Sequence, residues 1–246
     1  MEYADAMNPD DDTLAARGLA RRSILIGASA LVVAGCGRSD EETDGATAPV
    51  MPPPAPPAPA KIVTVLGDSI TAGFGLPAAD ALPAQLEKAL SASGLSVRVR
   101  AAGVSGDTTA GGLARVDFSV QDDTDLCVLA LGGNDMLQGV NPSTVRANLQ
   151  AIIDRLKARH IRVLLAGMRA PPQYGSYAAD FDRVFTDLSK EDDVTVYPFL
   201  LQGVALDDRY NQADGIHPNA AGVKIIVAGL APVVAAALSK ASSPVI

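Results

Sequence analysis

The chain has 246 residues and a formal net charge of -8, with 48% hydrophobic and 20% charged residues. This is enough for one globular domain with a hydrophobic core plus flanking segments. The acidic balance argues against a nucleic-acid partner, which requires Lys and Arg to neutralise phosphates, and an aromatic content of only 4% argues against a surface that stacks bases or sugars.

The first 36 residues have the layout of a bacterial export signal. Arg21 and Arg22 precede an apolar segment at 24–35, which is shorter than the roughly 20 apolar residues of a membrane-spanning helix. The arginine pair resembles a twin-arginine signal, and Val33-Ala34-Gly35-Cys36 resembles a lipobox. We therefore expect residues 1–36 to be a signal peptide, and Cys36 to be lipidated and to anchor an exported protein to the membrane on its periplasmic or extracellular side. An incidental thiol near a cleavage site is the alternative for Cys36.

Residues 37–60 contain no segment that could contribute to a hydrophobic core. Acidic and small residues come first, and seven prolines follow between Pro49 and Pro59. This composition favours extended polyproline structure at roughly 3.1 Å per residue, so a twelve-residue stretch would span about 35–40 Å. We expect a disordered tether between the membrane and the folded domain. A proline-rich ligand segment for another protein is the alternative.

From Lys61 onward, short apolar segments alternate with segments of helical periodicity. The predicted strands are 61–66, 96–99, 126–131, 161–165 and 194–196, and the predicted helices are 83–93, 143–159, 177–189 and 219–238. This alternation predicts an α/β domain over residues 61–240, a parallel sheet covered by helices on both faces. About 180 residues are too few for an eight-stranded α/β barrel. Cys127, inside an apolar strand, is predicted to be a small buried hydrophobic residue.

Four polar turns that contain glycine lie at the ends of these segments. Three of them follow predicted strands, and the fourth precedes the last helix: Gly67-Asp68-Ser69, Gly103 to Thr108, Gly132-Gly133-Asn134-Asp135 and Asp214-Gly215-Ile216-His217. Because ligands of open α/β sheets bind at the carboxyl ends of the strands, we expect these turns to converge on one crevice. Asp68 and Asp135 are expected to organise their turns through backbone N–H groups.

The chain has two histidines, and their contexts differ. His160 follows a predicted helix, where a capping or surface role is expected. His217 lies three residues after Asp214, which could bind one ring nitrogen while the other nitrogen acts as a general base. Ser69 would then be the nucleophile that this base activates. The structural alternatives are a helix N-cap for Ser69 and a helix-start motif with a chance histidine for His217.

Taken together, the motifs resemble the four blocks of the SGNH (GDSL) hydrolase family. These are Gly67-Asp68-Ser69, Gly106, Gly133-Asn134-Asp135 and Asp214-x-x-His217, and the likeness is greatest to the bacterial arylesterase and thioesterase–lysophospholipase branch. The resemblance implies a three-layer α/β/α sandwich with a flavodoxin-like sheet. It also implies a triad of Ser69, Asp214 and His217. The oxyanion hole would comprise the backbone N–H groups of Ser69 and Gly106 and the side-chain amide of Asn134.

The expected function is therefore that of a serine esterase. It would hydrolyse carboxylic esters or thioesters of a small molecule or lipid through a covalent acyl-enzyme, without a cofactor or metal, as a monomer. The alternatives are an O-acetyl esterase of envelope carbohydrates or an acyltransferase that uses the same site, and a non-catalytic lipoprotein. The expected pocket walls are Met136, Leu137 and the loop from Pro171 to Tyr177, which includes Tyr174, although apolar walls alone set chain length poorly.

Overall fold

Five parallel strands form the central sheet of the computed structural model, which describes residues 60–190 and 194–239. The strands are β1 (Lys61–Gly67), β2 (Val97–Gly103), β3 (Leu126–Ala130), β4 (Arg162–Ala166) and β5 (Val194–Tyr197). Their order is β2-β1-β3-β4-β5, and every neighbouring pair is parallel. This is the flavodoxin-like order, so the predicted fold class is confirmed. The predicted signal peptide, the lipidation site Cys36 and nearly all of the tether lie outside the described residues.

Helices cover the sheet in two groups. They are α1 (Ser69–Ala72), α2 (Leu82–Ala92), α3 (Thr109–Ser119), α4 (Gly133–Leu137), α5 (Pro142–Ala158), α6 (Ser176–Leu188) and α7 (Ala220–Ser239). Helix α2 packs against α7, whereas α5 packs against both α3 and α6. This grouping is that of the expected three-layer sandwich, because each group buries its apolar faces against one side of the sheet.

The sequence patterns missed one long helix and shortened one strand. Helix α3 carries Gly111 and Gly112, which lower its helical signal, but a Cβ at Gly112 would come within 2.2 Å of the Leu131 side chain. Glycine is therefore required there by close packing. Strand β2 continues to Gly103, beyond its predicted end. The prediction was too short because Arg98 and Arg100 interrupt the apolar pattern of this edge strand.

The core is centred on β3, in which every residue is buried. Cys127 on this strand is fully buried, and burial raises the pKa of its thiol to about 12. This agrees with the prediction of a small buried hydrophobic residue. Helix α7 is long and apolar enough to cross a membrane by length and composition alone, but half of it is buried within this domain. Its position against α2 makes it a core helix here.

Candidate active site

The turn after β1 places Ser69 at the carboxyl edge of the sheet. Gly67 ends the strand, and a Cβ there would come within 2.1 Å of Thr71 Oγ1 and within 2.9 Å of the Ala130 carbonyl oxygen. Asp68 then caps α1, its Oδ1 accepting a 3.0 Å hydrogen bond from the Ile70 N–H. Ser69 is the first residue of this short helix and is 8% exposed. Its hydroxyl is thus held near the surface by a turn that tolerates only glycine at its start.

Ser69, His217 and Asp214 form an unbroken chain of hydrogen bonds. His217 Nε2 lies 2.9 Å from Ser69 Oγ, and His217 Nδ1 lies 2.6 Å from Asp214 Oδ2. A carboxylate only accepts hydrogen bonds, so Nδ1 carries the ring proton and Nε2 is free to accept from the serine hydroxyl. The structure therefore brings the three sequence-predicted residues together in the geometry of a nucleophile, a base and the group that orients the base.

Asp214 is held in its ionised form by the tight loop that it shares with His217. Its Oδ1 accepts the backbone N–H groups of His217 and Ile216 at 3.0 and 2.9 Å. These two backbone hydrogen bonds, followed by the side-chain bond to His217, lower the pKa of Asp214 to about 2. Gly215 has a φ of +68°, a left-handed conformation that favours glycine and lets the loop turn back within four residues. Asp214 therefore faces His217 as a fixed negative charge.

The three expected oxyanion donors lie on the turns after β1, β2 and β3. Asn134 lies in α4, and its Nδ2 donates a 2.8 Å hydrogen bond to the Asp107 carbonyl oxygen, so its second amide hydrogen is available for a ligand. The backbone N–H groups of Ser69 and Gly106 donate no hydrogen bond to another described residue. Ser69 and Asn134 line the main cleft, whereas Gly106, with a φ of +85°, is exposed beside it.

Arg115 is a further residue that organises this edge of the sheet, and its role was not predicted. Its guanidinium donates to the carbonyl oxygens of Gly67 and Ala102 at 2.8 and 3.0 Å and to Asp107 Oδ2 at 2.6 Å. The Arg115 and Asp107 side chains are only 18% and 17% exposed. Arg115 therefore joins the ends of β1 and β2 to the loop that carries Gly106. The sequence offered a signal only in the Gly112-Leu113-Ala114-Arg115 block, whose contacts could not be read from spacing.

Two buried aspartates support the turns, as their sequence context predicted. Asp135 is 1% exposed and accepts hydrogen bonds from the Thr109 N–H and hydroxyl at 2.8 and 2.6 Å, which joins α4 to the start of α3. Asp68 is 4% exposed, and burial raises the pKa of its carboxyl to about 6, against the opposing effects of the Ile70 N–H and the nearby His217. Neither carboxylate replaces Asp214 beside the imidazole.

Ser69, Asn134 and His217 open into a cleft of about 700 Å³. Of the expected wall residues, Met136, Leu137 and Tyr174 line this cleft, whereas Tyr177 lines a smaller adjoining cavity of about 350 Å³ and donates its hydroxyl to the Val140 carbonyl oxygen at 3.0 Å. Pro171, at the start of the expected 171–177 wall loop, lines the cleft as well. The sequence missed further apolar lining residues on the loops after β4 and β5, which have no periodic signal: Met168, Ala170, Leu201, Ala205 and Leu206.

The second histidine lies away from this cleft. His160 follows the C-terminus of α5, is exposed, and has a φ of +58°, as suits a residue that ends a helix. Within residues 60–190 and 194–239, no three His, Cys, Asp or Glu side chains are grouped so that they could hold a metal ion.

Comparison with known proteins extends the resemblance to almost the whole described domain. Residues 65–225 match the GDSL-like Lipase/Acylhydrolase family. The chain is 40% identical over 161 residues to Esterase TesA of Pseudomonas aeruginosa, which covers 65% of this chain and 80% of the relative. It is 37% identical over 162 residues to Thioesterase 1/protease 1/lysophospholipase L1 of Escherichia coli strain K12, which covers 65% of this chain and 76% of the relative.

A solved structure is similar to this chain in fold. The crystal structure of AlinE4, an SGNH-hydrolase family esterase, matches with a TM-score of 0.62 at 41% identity, over 75% of this chain and 100% of that one. The sheet order, the four turns at its carboxyl edge and these matches lead to one conclusion. This chain belongs to the GDSL-like lipase/acylhydrolase family.

Proposed function

We propose that this protein is a serine esterase that hydrolyses carboxylic esters or thioesters through a covalent acyl-enzyme on Ser69. The observation that carries the proposal is the hydrogen-bond chain from Ser69 Oγ through His217 to Asp214, at 2.9 and 2.6 Å, at the floor of an open cleft. The relatives named above are an esterase and a thioesterase/protease/lysophospholipase, and esterases, thioesterases and lysophospholipases all hydrolyse acyl esters or thioesters.

In the acylation step, His217 Nε2 accepts the proton of the Ser69 hydroxyl while Oγ attacks the carbonyl carbon of the ester. The carbonyl π bond breaks, and its oxygen becomes the oxyanion of a tetrahedral intermediate. The N–H groups of Ser69 and Gly106 and the Asn134 amide are the donors proposed to stabilise this charge. Asp214 stabilises the imidazolium. The intermediate collapses when the bond to the leaving alkoxide or thiolate breaks and His217 returns the proton to that group.

Deacylation repeats the sequence with water as the nucleophile. His217 Nε2 takes a proton from water, the resulting oxygen attacks the acyl carbonyl, and the same donors face the second oxyanion. The Ser69–acyl bond then breaks, Oγ recovers its proton from His217, and a free carboxylic acid leaves. The enzyme returns to its starting protonation state, so no cofactor is needed for the balance.

The cleft favours an acyl chain over a sugar. Its walls are rich in aliphatic and sulfur-containing side chains, among them Met136, Leu137, Met168 and Leu201. An acetyl group would leave most of this apolar surface uncovered, which disfavours the O-acetyl esterase alternative. A substrate panel that varies the acyl length and the head group separates the two: preference for acetylated sugars over longer acyl esters would overturn the assignment of the acyl site.

The mechanism is tested by Ser69→Ala in the purified full chain, with p-nitrophenyl butyrate as substrate. We expect the variant to lose turnover while its circular dichroism spectrum is unchanged. The matched control is Ser91→Ala, on the exposed face of α2, which should keep full activity. Mass spectrometry of the wild type quenched during turnover should show one acyl adduct on Ser69. Wild-type activity in Ser69→Ala would overturn the mechanism.

We further propose that the enzyme is exported by a twin-arginine signal, anchored to the membrane through a lipidated Cys36, and monomeric. The support for export and anchoring is the sequence Arg21-Arg22, the apolar segment at 24–35 and the lipobox-like Val33-Ala34-Gly35-Cys36. Cells that express the wild type or Cys36→Ala can be fed a radiolabelled fatty acid. Label should enter only the wild type, and equal labelling of both proteins would refute the anchor.

A further inference from the structure

Phe74 covers one face of the His217 imidazole. Helix α1 ends at Ala72, and its C-cap Gly73, with a φ of +76°, turns the chain so that the Phe74 ring lies over His217, with centroids 4.5 Å apart and planes inclined by 35°. The Phe74 N–H donates to the Ser69 carbonyl oxygen at 3.0 Å, which fixes the Phe74 backbone relative to Ser69. Phe74 is nevertheless 50% exposed and does not line the main cleft. Core packing therefore does not explain its position.

Gln212 ties the same segment to the loop that carries His217. Its Nε2 donates to the carbonyl oxygens of Phe74 and Pro218 at 2.8 and 3.0 Å, and its backbone N–H donates to the His217 carbonyl oxygen at 2.8 Å. Gly75, next to Phe74, has a φ of +72°, and a Cβ there would come within 2.1 Å of Gln212 Oε1, so the Gln212 amide lies directly against this segment. One amide side chain thus connects the residue that covers the imidazole to the backbone that carries it.

We propose that Phe74 and Gln212 act as positioning residues, a clamp that holds His217 against Ser69 and favours its protonated state during the reaction. This inference rests on the proposed function. Asp214 contacts the imidazole through its hydrogen bond, and buried Asp68 lies close enough for its charge to interact with that of His217. Phe74 covers one face of the imidazole, where the negative face of the aromatic ring attracts the positive charge that forms as the serine proton moves.

Substitution of the ring separates an aromatic effect from simple packing. Phe74→Leu keeps an apolar side chain but removes the π face, so we expect kcat to fall about 3- to 10-fold with KM within about twofold. Phe74→Tyr should restore kcat.

The chain contains a matched control pair on α3 and the loop that follows it. Phe118 is 84% exposed, and its carbonyl oxygen accepts a 2.8 Å hydrogen bond from Gln121 Nε2, which repeats the Gln–Phe contact of the clamp away from the site. Phe118→Leu and Gln121→Ala should leave kcat and KM unchanged. Gln212→Ala should lower kcat about 10-fold with little change in KM, because His217 loses its fixed orientation while every catalytic side chain is retained.

NMR tests the clamp without any substrate. The two histidines are distinguished by His160→Gln, and the His217 ring protons should show an upfield ring-current shift that disappears in Phe74→Leu and persists in Phe74→Tyr and Phe118→Leu. If the wild type is active, a normal kcat in Phe74→Leu would overturn the clamp alone, as would a Phe74→Tyr variant as impaired as Phe74→Leu. A wild type without ester turnover would overturn the proposed function, while the ring-current shift would still report the contact.

Discussion

Asp68, next to Ser69 in the sequence, makes the stability of the folded protein depend on pH. Its carboxyl is 4% exposed, and burial raises the pKa to about 6 from an ordinary value of 3.8. In the unfolded chain this carboxyl ionises near pH 4, whereas in the folded chain it holds its proton to about pH 6. The folded state therefore binds more protons between these values, and folding stability falls as the pH rises through this window.

Asp68→Asn should remove this loss of stability at higher pH, because the amide does not ionise. Its side-chain oxygen can still accept the hydrogen bond from the Ile70 N–H. We expect the variant to exceed the wild type in free energy of unfolding by up to about 3 kcal/mol at pH 7–8, and the difference to vanish near pH 4. Urea titrations at a series of pH values measure it. A difference that is constant from pH 4 to pH 8 would show that the carboxyl does not titrate in this way.

Asn134 allows the oxyanion hole to be tested by a single side chain. Its amide is held by the Asp107 carbonyl oxygen and has one further hydrogen to donate. Asn134→Ala should lower kcat by about 10²–10³-fold with a much smaller change in KM, because the lost donor acts mainly in the transition state. Asn141→Ala is the control: it removes the N-cap of α5 and should lower Tm but not kcat. A smaller loss of kcat in Asn134→Ala than in Asn141→Ala would contradict the assignment of Asn134 as an oxyanion donor.

Between elements, Arg115 is the principal connection at the carboxyl edge of the sheet. It extends from α3 to the ends of β1 and β2 and to Asp107, whose carbonyl oxygen in turn orients Asn134. A lysine ammonium cannot reproduce the planar fork of a guanidinium. Arg115→Lys should therefore lower the free energy of unfolding by about 1–3 kcal/mol and also lower kcat, as measured by urea unfolding and initial rates. A free energy of unfolding and initial rates equal to those of the wild type would exclude this connecting role of Arg115.

Most elements were predictable because their burial is periodic. Helix α5 has an Asn cap, a proline at its first turn and five buried residues on one face, and its predicted bounds agree to within one residue. Helix α3 was missed because Gly112 serves contact with Leu131 rather than helix propensity. The turns that carry Ser69, Asn134 and His217 were recognisable from short polar motifs. The cleft walls at 168–170 and 201–206 were not, because loop side chains converge only through the tertiary fold.

At the scale of the molecule, α7 packs against α2. Leu230 on this helix is fully buried. Leu230→Ala should lower the free energy of unfolding by about 2–4 kcal/mol and leave kcat unchanged at low temperature, because Leu230 does not line the cleft. Chemical denaturation followed by circular dichroism provides the measurement. An unchanged midpoint would indicate that α7 does not pack in the core of the folded protein.

The active site also depends on the whole chain, since Ser69 and His217 are 148 residues apart in sequence. These two side chains meet only when the loop after β5 returns to the turn after β1. Asp214 and His217, in contrast, share one short loop and keep their mutual contact through local hydrogen bonds. Activity is therefore a sensitive measure of complete folding, whereas the Asp–His pair alone is not.

Because Cys127 is fully buried, a thiol reagent does not reach it in the folded protein. The sequence has two thiols, and this one is inaccessible and, with its pKa raised to about 12, protonated at any ordinary pH. A maleimide reagent applied to folded protein can therefore modify only Cys36, and only while Cys36 is free. In urea, the same reagent would reach Cys127 as β3 is exposed. Labelling in buffer would therefore measure the fraction of molecules with an unlipidated Cys36. Labelling of Cys127 in urea would measure the fraction of unfolded molecules.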